Sequence, residues 1–175
     1  MLRNQAPRRL DLEALWQYAL RALGRRALTI GEMREKLRSR AALAADVSRV
    51  LARLKDHRLV DDRLLAEHYA SARLENQGHG PSRVLRDLRR RRVAPAVAAE
   101  GVESAFRDRD EVELIESFLG RKYRNVDLSR LLADPKKLAS AYRRLRYAGF
   151  AASAVIRVLK RYSESADELE HGEES

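Results

Sequence analysis

The chain has no cysteine, and that one absence removes disulfides, thiolate metal sites and cysteine nucleophiles together. A reducing, cytoplasmic setting is the expectation that accords with it. No apolar run approaches the roughly 18 residues that a membrane-spanning helix needs. The opening MLRNQAPRRLDLEALW holds no continuous apolar stretch before charge resumes, so it does not read as a secretory signal and no membrane partner is expected. Strict apolar–polar alternation over a strand length is missing too, which argues against sheet. The four histidines, His57, His68, His79 and His171, show no metal-ligand spacing, and neither a metal, a cofactor nor a catalytic nucleophile is expected. Aromatic residues are sparse: Trp16, Tyr18, Tyr69, Tyr142 and Tyr147 are too scattered for the stacking platform of a single-strand binder. Tyr147, set among arginines, is the one aromatic to test for base contact.

What the chain does have is positive charge. Its 36 Lys and Arg against 26 Asp and Glu give a formal net charge of +10 over 175 residues, which makes a polyanion the default partner. The excess is uneven. After Ser163 come Glu164, Asp167, Glu168, Glu170, Glu173 and Glu174 with no Lys or Arg; setting those six aside leaves 36 basic against 20 acidic residues, a net +16, in residues 1–163. Residues 163–175 therefore read as an acidic, disordered tail.

Apolar positions recur every three to four residues almost throughout, the period of amphipathic helices, and 45% hydrophobic residues are enough for a core. The expectation is an all-α chain of about nine helices. One helical unit recurs three times: TIGEMREKLRSRAA (Thr29 to Ala42), GPSRVLRDLRRRRV (Gly80 to Val93) and DPKKLASAYRRLRYAGF (Asp134 to Phe150). With Leu37, Leu88 and Leu145 in register, an apolar residue falls four positions earlier in each copy, at Met33, Val84 and Ala141. The spacing suits three packed helices per unit, and stacked units bury a core that none could bury alone. The resulting division is a flexible N-terminus at 1–11, three-helix repeats at 12–60, 61–107 and 108–162, and the tail at 163–175, forming an elongated stack.

Local signals place the helices. Thr29 with Glu32 fits a capping box. Asp61 or Asp62 is suited to cap a helix whose inner face reads Leu65, His68, Tyr69 and Ala72. Pro81, Pro95 and Pro135 suit first helical turns, and Gly149 before Phe150 reads as a left-handed helix cap with an apolar residue folding back. Paired aspartates could suggest a metal or acid–base site, but at a helix start they read as caps that favour the helix dipole. Gly78-His79-Gly80 lacks the lysine and the spacing of a phosphate-binding loop and reads as a tight turn.

The stretch LVDDRLLAEHYASARLENQGHGPSRVLRDLRRRRV (Leu59 to Val93) resembles the central motif of the RecX family, bacterial regulators of the RecA recombinase. Asp61, Asp62, Ala66, Glu67, Arg73, Gly78, Gly80, Pro81, Leu88 and Arg89 fall where that pattern would put such residues. The resemblance runs upstream through ALWQYALRALGRRALTIGEMREKL (Ala14 to Leu37) and downstream to Gly149-Phe150. Two features depart from it. Leu64 and Leu65 stand where the family usually has an Arg-Phe pair, and Arg92 often has a glycine counterpart, so the helix before Arg92 is expected to end differently. The resemblance implies a non-enzymatic, helical-repeat modulator that binds in the groove of a RecA filament on DNA and restrains its ATPase and strand-exchange activities.

Basic residues follow or flank each anchor leucine: Arg38 and Arg40, then Arg89, Arg90, Arg91 and Arg92, then Arg143, Arg144 and Arg146. A charge run is ordinarily a solvated helix face. Three runs at comparable repeat positions on a +16 body point instead to docking on RecA or on DNA, since each guanidinium can make two parallel bonds to phosphate or carboxylate. The seven arginines from Arg89 to Arg146 are the expected site, on a monomer, with DNA bound irrespective of sequence. The alternative is a sequence-specific helix-turn-helix transcription regulator. Such a recognition helix needs base-reading Asn or Gln, and the helices around Leu88 and Leu145 contain neither. A plain helical adaptor for an acidic protein is a third reading.

Overall fold

Many helix starts in this protein carry a short acceptor side chain, and several helix ends, at Arg58, Gly78, Arg92 and Gly149, turn left-handed. The computed structural model describes residues 9–167 and 169, and among these every regular element is helical. In chain order they are α1 (Leu12–Leu23), α2 (Ile30–Arg38), α3 (Ala44–Asp56), α4 (Asp62–Gln77), α5 (Pro81–Arg90), α6 (Pro95–Phe106), α7 (Glu111–Lys122), α8 (Leu128–Leu132), α9 (Pro135–Ala148) and α10 (Ala152–Leu159), followed by a 3-10 turn at Glu164–Asp167. Asp11, Asp110, Asp127 and Asp134 accept hydrogen bonds from first-turn amides of α1, α7, α8 and α9, satisfying donors that have no partner inside the helix. Thr29 and Glu32 form the capping box of α2. The paired aspartates divide the work: Asp61 accepts from the amides of Arg63 and Leu64, while Asp62 accepts from Ile30 N at 2.8 Å, at the start of α2.

The described residues divide into two compact units, one made of those up to Ala66 with Leu88–Ala98 and the other of Glu67–Asp87 with those from Ala99 onward. In the first, Leu15, Trp16, Ala19, Leu28, Met33, Leu37, Ala41, Val47, Val50, Leu51, Leu54 and Val60 form a core contributed by α1, α2 and α3 and the segments around them. In the second, Ile115, Leu119, Leu132, Leu138, Ala141, Tyr142, Leu145, Phe150, Val155, Ile156, Val158 and Leu159 do the same from α7 to α10. Phe150 meets Phe118 edge to face at 6.0 Å. The three anchors Leu37, Leu88 and Leu145 are all 0% exposed, and so are Met33, Val84 and Ala141 one turn earlier. Truncating any anchor leucine would cost about 2–5 kcal/mol.

Five expectations need correction. Ten α-helices are present among the described residues, not nine: the extra one is α8, a five-residue turn capped by Asp127 that buries Leu132. The inner face of α4 is Ala66, Ala70 and Leu74, with Leu65 and Tyr69 half-buried and His68 and Ala72 exposed. Part of the supposedly flexible start is tied down, since Leu10 exchanges backbone hydrogen bonds with Arg40 and Ala42, and Asp11 caps α1. Part of the acidic tail is ordered too: Ala166 is fully buried in the core of the second unit, with Lys160 paired to Asp167 at 2.5 Å. The rest of both expectations, at residues 1–8, 168 and 170–175, lies outside the described residues.

The helix before Arg92 does not end differently. Val93 N donates to Leu88 O at 3.1 Å and Arg92 N to Arg89 O at 2.8 Å, and Arg92 takes φ +63°. Around Gly149, φ +100°, the pairs are Phe150 N to Leu145 O and Gly149 N to Arg146 O. Both are Schellman ends in which an anchor leucine supplies the outer carbonyl and a buried residue, Val93 or Phe150, folds back. Arg92 adopts glycine's conformation at a steric cost that glycine would not bear.

Candidate polyanion-binding surface

Burial of Val84 and Leu88 fixes the rotation of α5 and turns Arg86, Arg89 and Arg90 outward. Arg89 and Arg90 are exposed and, among the described residues, engage no acidic partner. Arg91 and Arg92 differ. Arg91 is a clasp: its Nε lies 3.3 Å and its Nη2 3.1 Å from the two oxygens of Glu32, and Nη2 also donates to Ala27 O at 2.9 Å. Arg26 reaches the same carboxylate at 3.1 and 3.2 Å. Burial by itself would raise the Glu32 carboxyl, but the bonds from Arg91, Arg26 and the Thr29 amide outweigh it and hold the group at about 2. Arg92 pairs with Glu35 at 2.7 Å on the surface. Among the described residues, the predicted run of four therefore contains two cations with no acidic partner and two that are paired.

In the second unit, α9 buries Leu138, Ala141, Tyr142 and Leu145, which leaves Arg143 and Arg144 exposed with no acidic partner among the described residues. Arg146 is half-buried and donates through Nη1 to Phe150 O at 2.7 Å, so it serves the end of its own helix. Relative to the anchor leucines, the next residue is exposed at Arg38 and Arg89 and half-buried at Arg146. The repeat is structural more than electrostatic.

The structure also brings forward arginines that a count of runs passes over. Arg34 and Arg38 line an open cleft of about 360 Å³ together with Gly31, Glu35 and Arg92. Arg83 and Arg86 both donate to Tyr147 O, at 3.3 and 3.4 Å, and the Arg83 guanidinium lies 4.4 Å from the centre of the Tyr147 ring. Tyr147 is 68% exposed. The spacing Arg83, Arg86, Arg90 along the face away from Val84 and Leu88 is the sequence signal that would have found them. Chemically, these groups can hold phosphates or carboxylates. Among the described residues no group of three His, Asp or Glu is placed to hold a metal ion, and no helix is long and apolar enough to cross a membrane.

Comparison with known proteins identifies the scaffold. Residues 61–102 match the family model for the second three-helix domain of RecX. The regulatory protein RecX of Deinococcus radiodurans is 30% identical over 162 residues, 93% of this chain and 74% of its own length. Its counterpart in Mycobacterium sp. strain KMS is 33% identical over 144 residues, 81% of this chain and 79% of its own length. The crystal structure of RecX from Lactobacillus salivarius shares the fold with a TM-score of 0.65 at 20% identity, over 87% of this chain and 97% of that one. A relative 30% identical over 93% of this chain, together with the family-model match at residues 61–102, shows that the chain belongs to the RecX family of regulatory proteins.

Proposed function

We propose that this protein regulates the RecA recombinase by lodging on its DNA filament and lowering ATPase and strand-exchange activity. Family membership supports the partner. The observation that carries the mode of binding is that Arg89, Arg90, Arg143 and Arg144 remain exposed with no acidic partner among the described residues, while neighbouring arginines are consumed by the fold. A guanidinium with no acidic partner among the described residues is poised to bond a phosphate or carboxylate in two places at once. Binding of this kind reads charge and not base order, so a monomer that docks on DNA without sequence preference is part of the proposal, as is residence in the cytoplasm. A sequence reader would need Asn or Gln on its recognition helix, and neither Pro81–Arg90 nor Pro135–Ala148 has one.

The test is the DNA-dependent ATPase rate of RecA from the same organism, with the protein added substoichiometrically to assembled filaments. Strong inhibition well below one molecule per RecA protomer is the expected result, and Arg89→Ala with Arg90→Ala should weaken it while thermal stability stays nearly unchanged. An unaltered ATPase rate at equimolar protein would refute the proposal.

A further inference from the structure

From the clamp around Tyr147 we infer a binding site for an unpaired nucleobase and its flanking phosphates in the second unit, built by Tyr147, Arg83, Arg86 and Arg143. The inference rests on the proposed docking to DNA and adds that the strand contacted there is single. Tyrosines five residues apart on α9 have opposite fates: Tyr142 is 3% exposed in the core and Tyr147 68% exposed at the last turn. Nothing in the packing requires an aromatic at that second position. Its backbone is nevertheless held firmly, since two guanidinium groups from α5 donate to its carbonyl and the left-handed Gly149 follows two residues later. A Cβ on Gly149 would come within 2.4 Å of Arg83 N, so the helix end and the start of α5 are in direct contact.

Arg83 stacks on the ring at 4.4 Å, which orients it and leaves most of its surface to solvent. The exposed Arg143 stands one helical turn before Tyr147 on the same face of α9, and Arg86 is exposed on α5. An aromatic ring in a ring of cations fits a nucleic-acid strand better than an acidic protein. Carboxylates are repelled by the negative face of an aromatic ring, whereas any base has a π-face to lay on it, with its phosphates left for the arginines. A duplex keeps its bases stacked on each other and offers the ring only an edge.

The experiment uses the full chain without RecA and three labelled probes of equal length: an oligo(dT) strand, an abasic deoxyribose-phosphate strand and a duplex. Tyr147→Ala should weaken oligo(dT) binding by roughly 5- to 100-fold at fixed salt, the range typical of losing one base–aromatic stack. Binding of the abasic strand and of the duplex should not change, and Tyr147→Trp should restore oligo(dT) affinity with its added fluorescence quenched by the strand. Far-UV circular dichroism shows whether the exposed position was neutral for folding. An equal loss on all three probes, no loss on oligo(dT), or no binding of any probe by a folded chain overturns the inference. The two readings fail separately: a chain that inhibits RecA but shows no Tyr147 effect loses only the base site, and one that stacks bases without inhibiting RecA loses only the regulatory role.

Discussion

Arg92 is, with Arg58, one of two non-glycine residues of the first unit held at positive φ among the described residues, and a single substitution can relieve it. It holds φ +63°, a conformation that costs an L-residue about 1–2 kcal/mol and glycine nothing comparable. Its ion pair with Glu35 is more than half exposed at both partners and offsets little of that. Arg92→Gly should therefore stabilise the unit, by about 0.5–1 kcal/mol, even though it deletes an observed salt bridge. The reciprocal change is Gly31→Ala, whose Cβ would fall 2.4 Å from Arg92 O and 2.5 Å from Arg92 Cβ; a contact that close forces backbone apart and should cost about 2 kcal/mol or more. Urea unfolding followed by the single tryptophan, Trp16, 6% exposed in the core of that unit, reads both. If Arg92→Gly lowers the midpoint, the guanidinium contributes more than the backbone strain takes away.

At the scale of elements, the informative junction is the start of α2. Thr29 Oγ1 accepts from Glu32 N at 2.9 Å and donates to Arg91 O at 2.6 Å, so one buried hydroxyl caps α2 and also bonds the carbonyl three residues past the anchor Leu88. In the second unit the carbonyl three past Leu145, that of Ala148, accepts from Gly80 N at 2.8 Å instead. Glu32 completes the first junction, and its depressed acidity links it to pH. A carboxyl lowered from 4.5 to about 2 binds fewer protons folded than unfolded at intermediate pH, so its stabilisation is complete above about 4.5 and is lost as pH falls toward 2. Glu32→Gln should lower stability at neutral pH by about 1.5–3 kcal/mol, the worth of bonds to a charged group. It should also flatten the fall between pH 4.5 and 2, as measured by the same tryptophan-detected unfolding at stepped pH. An acid limb of unchanged steepness would place the titrating group elsewhere.

Elements of this kind were readable from sequence where the signal is local. The capping box at Thr29, the cap at Asp61 and the left-handed end at Gly149 each depend on residues within one turn, and each stands where the pattern placed it. Long-range choices were not readable. The short α8 carries too few residues for a helical period to show, and the inner face of α4 runs through the small Ala66 and Ala70, with the bulkier Leu65 and Tyr69 only half-buried. The helix end at Arg92 kept its form because the Schellman bonds and the burial of Val93 outweigh the strain of one non-glycine residue.

Over the whole molecule, the charge count predicted an interface but could not sort its members. Arg91 is withdrawn by Glu32, 59 residues away in sequence, and Arg146 by a carbonyl of its own helix end, while Arg89, Arg90, Arg143 and Arg144 have no acidic partner among the described residues. The tail shows the same limit from the acidic side, because its composition argues for disorder while Ala166 is buried; a truncation meant to remove its charge alone must begin beyond Leu169, which packs against that core. Salt titration separates free from engaged arginines. Each phosphate contact on a single strand contributes about 0.7 to the slope of log K against log salt, so Arg89→Ala with Arg90→Ala should reduce the slope by up to about 1.4, and Arg143→Ala with Arg144→Ala by a similar amount. The four together should reduce it by nearly the sum, because screening acts on each contact separately. Arg91→Ala and Arg146→Ala should leave the slope in place and lower the unfolding midpoint. If the slope instead follows Arg91 and Arg146, the clasps open on binding and the polyanion competes with Glu32 for its arginine.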